Sequence, residues 1–137
     1  MKKTKGQISV EYLVIVGFIT FIVIGILGIG LVYSESIKDR IKISQMSNYA
    51  NKVISTSESV FYSGEPSKST ISVYLPEGIK GIEIIENNLI MSIQTSSGIT
   101  KTSFSSNVPI SGTLSPSFGI KKIQIVAEED MVVIGPA

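Results

Sequence analysis

Cysteine, histidine and tryptophan are missing from the chain altogether. Without cysteine there can be no disulfide staple, although an extracellular domain can do without one. Without cysteine and histidine there is no Cys/His zinc site, and no Ser–His or Cys–His catalytic pair. With those acid–base and nucleophile partners gone, the chain reads as non-enzymatic, with no catalytic, cofactor-binding or metal-ligating residues expected. A dominant charge is also lacking. Twelve basic and eleven acidic residues leave a net charge of +1, which gives no footprint for nucleic acid. No glycine-rich phosphate loop appears. None of Asn48, Asn51, Asn87, Asn88 and Asn107 has Ser or Thr two residues on, so N-glycosylation acceptors are absent too.

What the chain does have is a long apolar run near its start. Tyr12 to Tyr33 passes through 22 residues without a charge, and a bilayer core needs roughly 20 apolar residues in helix. Ahead of it stand Lys2, Lys3 and Lys5, then Gly6, then polar residues at alternate positions: Gln7, Ser9 and Glu11. The run is longer than the roughly 7–15 apolar residues of a secretory signal, and no small-x-small cleavage site follows it. A plain signal anchor with its lysines held inside fits the composition. It gives no reason for the order of residues around Gly6, or for a carboxylate at the lip of an apolar helix. Charge inside a membrane helix costs roughly 2.5–3.5 kcal/mol at the centre and less near the interface.

The segment Lys5-Gly6-Gln7-Ile8-Ser9-Val10-Glu11 resembles the class III signal peptide of archaeal type IV pilin-like proteins. In that family a prepilin peptidase cuts just before a Gln, and the motif reads Q-x-S-x-E ahead of an apolar run. Gln7, Ser9 and Glu11 match it position by position. Where the family usually has Leu, four residues after the Glu, this chain has Ile15. The resemblance covers about nine residues, with the basic segment and the apolar run extending it. It implies cleavage between Gly6 and Gln7, with Gln7, Ser9 and Glu11 as the processing and assembly motif. It also departs from family habit, since many archaeal surface pilins carry N-glycans. Three of the twelve basic residues lie in residues 1–6, so cleavage would leave nine basic against eleven acidic residues.

Past Tyr33 the composition changes to Ser34-Glu35-Ser36-Ile37-Lys38-Asp39-Arg40, yet nothing there breaks a helix. Ile37, Ile41, Met46, Tyr49, Ala50, Val53, Ile54, Val60 and Phe61 recur at mostly helical intervals and predict an apolar stripe packed on a domain. Ser63-Gly64-Glu65-Pro66 predicts the stop. A helix from about Ile8 to Tyr62 would reach on the order of 80 Å, longer than a domain of this size can bury. Its first half therefore calls for lipid or other copies of itself. Gly17, Gly25, Gly28 and Gly30 lie in that half without forming G-x-x-x-G. Each reads equally as ordinary glycine usage in a membrane helix or as a close-packing position.

The remainder reads as five or six short antiparallel strands. Thr70–Leu75 alternates, with Ile71, Val73 and Leu75 on one face. Lys80–Glu86 and Leu89–Thr95 flank Asn87-Asn88 as a hairpin. Ser96-Ser97-Gly98 turns the chain into Ile99–Phe104. Ser105 to Ser117 forms a loop with a short strand at Val108–Ile110. Gly119–Ala127 and Met131–Ile134 close a last hairpin around Glu128-Glu129-Asp130. That acidic triplet, like Glu83 and Glu86, reads as a solvated turn, since EF-hand spacing is absent.

The expected fold is α+β, a long hydrophobic helix continuing into an amphipathic one packed on a C-terminal antiparallel sheet. The expected parts are a basic leader (1–6), a transmembrane or filament-core helix (7–33), an amphipathic continuation (34–63) and a β-rich head (64–137). The resemblance implies a type IV pilin-like layout and a structural role in an extracellular adhesive filament, after membrane insertion as a precursor. Its partners would be further copies of itself, the prepilin peptidase, the pilus assembly machinery and the membrane. The alternatives are a membrane-tethered extracytoplasmic binding domain, and a minor pilin that does not itself polymerise.

Overall fold

The computed structural model describes residues 4–137, with side chains described from residue 9 onward. Lys2 and Lys3 lie outside the described residues, as do the side chains of Lys5, Gly6 and Gln7. A single helix, α1, runs from Thr4 to Ser63. It begins a turn earlier than the sequence predicts, because Gly6 costs only about 1 kcal/mol in a helix and does not stop one. Its end falls where the sequence places it. Gly64 adopts φ 75°, a left-handed conformation that glycine enters without steric cost. Its N–H closes the last turn on Phe61 O at 3.0 Å, and Pro66 lies beyond.

Contacts divide the chain within that helix, into residues 1–38 and residues 39–137. Among the described residues of the first unit the helix has no other element to pack on. Eighteen large apolar side chains from Val10 to Tyr33 are 42–76% exposed. At roughly 1.5–3 kcal/mol each, leaving them in water forfeits on the order of 30 kcal/mol. A whole domain is stable by only about 5–15 kcal/mol. This surface therefore needs an apolar environment, and α1 is long and apolar enough to span a membrane.

The second unit packs the last part of α1 against seven strands. They are β1 (Lys68–Leu75), β2 (Ile79–Ile85), β3 (Asn88–Thr95), β4 (Gly98–Ser105), β5 (Ile110–Gly112), β6 (Gly119–Ala127) and β7 (Val132–Pro136). They form two sheets, of order β1-β6-β7-β5 and β2-β3-β4, rather than one. All pairs are antiparallel except β5 with β7, which is parallel and aligns Ile110 with Val132. The α+β class and the β-rich second half stand; the single antiparallel sheet does not. The meander β2-β3-β4 is built from two-residue turns and was readable locally. By contrast, β1 skips that meander to pair with β6, placing Tyr74 opposite Ile120 and Lys68 opposite Val126.

Two boundaries move for identifiable reasons. The short strand of the Ser-rich loop starts at Ile110 rather than Val108. Pro109 has no N–H to give a ladder, and its carbonyl instead accepts from Val132 N at 2.8 Å. The β2–β3 turn is Glu86-Asn87, one residue earlier than expected. Glu86 takes the positive φ (54°), while Asn88 already pairs with Ile85.

Met46, Tyr49, Ala50, Val53 and Val60 of α1 meet Leu75, Leu89, Met91, Ile93, Ile125 and Ile134 of the strands in one core. Ile37 and Ile41, expected on the same stripe, are 52% and 51% exposed. The step from Ile41 to Met46 is five residues, which turns about 140° around a helix and carries the pair off the buried face. Ile43, three residues before Met46, takes the place on that face instead. Ser57 is fully buried in the stripe, where its Oγ donates to Val53 O at 2.8 Å. That internal bond satisfies the hydroxyl and makes a serine acceptable among apolar neighbours.

Candidate assembly segment and head clefts

The residues singled out by sequence lie at the start of α1. The backbone around Gly6 and Gln7 is helical, and their side chains lie outside those described. Ser9 and Glu11 are both exposed. Two residues apart on a helix, they sit about 200° apart around the axis and share no face. An extended segment would align them on one side, since side chains alternate along a strand. Beyond Glu11 the polar groups of the apolar run are few. Thr20 Oγ1 donates to Val16 O at 2.7 Å, so its hydroxyl is satisfied within the helix and needs no water. A Cβ built on Gly17, Gly25, Gly28 or Gly30 would meet nothing within 4 Å. Among the described residues no contact requires glycine at those four positions.

In the second unit, three side chains of α1 hold the turns that lie over it. Asp39 Oδ2 accepts from Ser96 N at 2.9 Å and from Ser96 Oγ at 2.5 Å, gripping the β3–β4 turn. The Ser96 hydroxyl, and then its amide, hold the Asp39 carboxyl below its ordinary value of 3.8. Glu58 Oε1 accepts from Asn107 N at 3.0 Å and Asn107 Nδ2 at 2.8 Å. Lys42 Nζ lies 3.3 Å from Glu77 Oε1 in the β1–β2 turn. Sequence reading missed all three. Their only signal was the acids and bases on the flanks of the stripe, which is also how an ordinary solvated helix face looks.

Tyr49 is where the core meets the surface. It is 2% exposed, yet it lines two clefts. One, of about 300 Å³, is shared with Thr113, Leu114, Ser115, Lys121 and Lys122. The other, of about 440 Å³, lies between Gln45, Asn48 and Lys52 of α1 and Ser72 and Tyr74 of β1. Burial pushes the Tyr49 phenol up to about 12, so it stays a neutral donor across the physiological range. The sequence reading placed Tyr49 in the core, and the hydroxyl that distinguishes it from Phe was the only hint of a second role. Glu83, Glu86, Glu128, Glu129 and Asp130 are all exposed. Among the described residues no three acidic side chains converge as a metal cage. The chain matches no family model, no curated protein and no solved structure.

Proposed function

We propose that the chain is a pilin-like structural subunit, inserted in the membrane as a precursor, cut between Gly6 and Gln7, and assembled into an extracellular filament. The observation that carries this reading is the Lys5–Glu11 motif in the first turns of a helix whose apolar surface has no partner among the described residues. A motif whose polar residues share a side only when extended suits a protease, which reads an unwound backbone. Gly6 makes that unwinding cheaper by about 1 kcal/mol relative to Ala. After cutting, the helix from Ser9 to Tyr33 exchanges lipid for the same surface of other copies, and adhesion is the use that the resemblance implies.

The test is N-terminal sequencing of the full chain expressed with a prepilin peptidase, on both sheared surface material and membranes. The expected result is sheared chains beginning at Gln7. Gly6→Val puts a β-branched side chain at the scissile bond and should leave uncut precursor in the membrane. Mature chains from that variant would mean the cut lies elsewhere. An intact N-terminus confined to membranes, with nothing sheared, would instead identify a tethered extracytoplasmic domain.

A further inference from the structure

The two sheets meet where β2 lies beside β5, which leaves β1 and β4 as the outer edges of the head. The inner edges are blunted. β2 carries a bulge between Ile79 and Gly81, and β5 has only three residues, directly behind Pro109. The outer edges are not: β1 and β4 each run for eight residues in unbroken register, without proline. A long, regular edge is a template for another strand.

Hydrogen bonds at the strand ends fix which groups face out. Ala127 N donates to Ser67 O at 2.8 Å, so those two residues form a hydrogen-bonded pair. Bonded and non-bonded pairs alternate along an antiparallel ladder. Ser69, Ile71, Val73 and Leu75 therefore turn their backbone groups to β6, while Lys68, Thr70, Ser72 and Tyr74 turn theirs outward. Among the described residues no hydrogen bond takes up these outward groups. The bond from Ser106 N to Asn87 O sets the parity of β4 in the same way, leaving Ile99, Lys101, Ser103 and Ser105 facing out. Nor does α1 close over the β1 edge. The cleft of about 440 Å³ separates Ser72 and Tyr74 from Gln45, Asn48 and Lys52.

The grips on α1 give each edge a direction. β1 starts just past the end of α1, and Lys42 holds Glu77 beyond its far end, so β1 runs back along the helix. β4 starts beside Asp39, which holds Ser96, and ends beside Glu58, which holds Asn107, so it runs with the helix. We propose that β1 of one copy pairs antiparallel with β4 of the next, joining their sheets edge to edge. The pairing rests on the filament reading for one point, that copies entering a membrane in the same sense keep α1 in one direction. β1 then meets β4 antiparallel, whereas β1 against β1 would run parallel. The faces agree as well, because the outward-turned residues of both strands carry exposed side chains, so solvent face adjoins solvent face. The register that uses all of them sets Lys68 opposite Ser105, Thr70 opposite Ser103, Ser72 opposite Lys101 and Tyr74 opposite Ile99. Tyr74 (48% exposed) already stands opposite Ile120 (76%) on β6, and Ile99 (61%) extends that apolar row to a third strand. Unlike edges joined in this way propagate into rings or open helical arrays.

The chain has no cysteine, so an introduced pair reports one contact alone. Ser72→Cys with Lys101→Cys puts the two thiols on opposite outer edges of a copy, with five strands between them. A disulfide needs Cα atoms within about 7 Å, so this pair joins copies and gives a ladder of multimers on non-reducing gels. The full chain is oxidised mildly, both as sheared filaments and in membranes. The expected result is a ladder from this pair and several-fold less from Ser72→Cys with Thr102→Cys, whose second thiol lies on the core face opposite Met91. Adding Thr70→Pro to the first pair removes an outward N–H that the head's own ladder does not use. Circular dichroism should show the head still folded while the multimers fall several-fold. Multimers undiminished by Thr70→Pro, or dimers from Ser72→Cys alone, overturn the β1–β4 pairing. Filaments of chains beginning at Gln7 without the ladder overturn it too and leave the filament reading standing. The ladder in membranes that yield no filament keeps the pairing and overturns the filament reading. Neither ladder nor filament overturns both.

Discussion

At the scale of single residues, the tightest constraint is a glycine. Gly112 ends β5 with φ 131°, in the region that L side chains rarely enter. A Cβ there would also run into the backbone of Ile134, its parallel partner in β7. Gly98 has a similar φ of 124° but open space around it. Comparing the two separates strain from collision. Gly98→Ala should cost about 1–3 kcal/mol from backbone strain alone. Gly112→Ala should add roughly another 1–3 kcal/mol, because the backbone of β7 must shift. At about 4–8 °C per kcal/mol, thermal unfolding of the detergent-solubilised chain followed by circular dichroism should separate the two variants clearly. Equal melting temperatures would show that β5 and β7 are not as close as described.

At the scale of elements, the sequence carried most of what is local. The stop of α1 at Ser63-Gly64, the β2-β3-β4 meander and the β6–β7 hairpin all rest on neighbours in sequence. The pairing of β1 with β6 and the parallel docking of β5 on β7 depend on contacts between distant residues, and no local period announces them. The same limit hid the cleft, which joins Tyr49 of a helix to lysines of a strand far along the chain. It also hid the grip of Asp39 on Ser96. Because that carboxyl is held below its ordinary value, its contribution is fully present above about pH 4 and is lost as pH falls through the lowered value. Asp39→Asn removes the titration while keeping an acceptor oxygen. Its melting temperature should lie below wild type at neutral pH, and the two should converge as the buffer is taken well below pH 4. A constant gap across that window would mean that the Asp39 charge is not what holds the β3–β4 turn.

At the scale of the whole molecule, two demands are left unmet by the chain itself: apolar surface from Val10 to Tyr33, and a carboxylate at Glu11 on the edge of it. Lipid would answer the first, since the helix is long and apolar enough to span a membrane. For the second, an unpaired charge taken into an assembled apolar core costs several kcal/mol, so a partner is needed. On the proposed function, cutting before Gln7 creates an α-amine four residues ahead of Glu11. Set against Glu11 of a neighbour, that amine neutralises both charges and fixes the stagger between helices. Within one helix it could bend back to its own Glu11 instead, and the two arrangements differ in what they demand of assembly. Pairing between copies predicts that Glu11→Ala is inserted and cut, accumulates in membranes and yields few filaments. Co-expression with wild type should then rescue partially, because each wild-type subunit still offers its carboxylate to a neighbour. Pairing within one helix would make each subunit self-sufficient, so the variant's defect would not be relieved by mixing. Normal filament yield from Glu11→Ala alone would remove Glu11 from assembly and leave it either a recognition residue for the proposed peptidase or an interfacial charge.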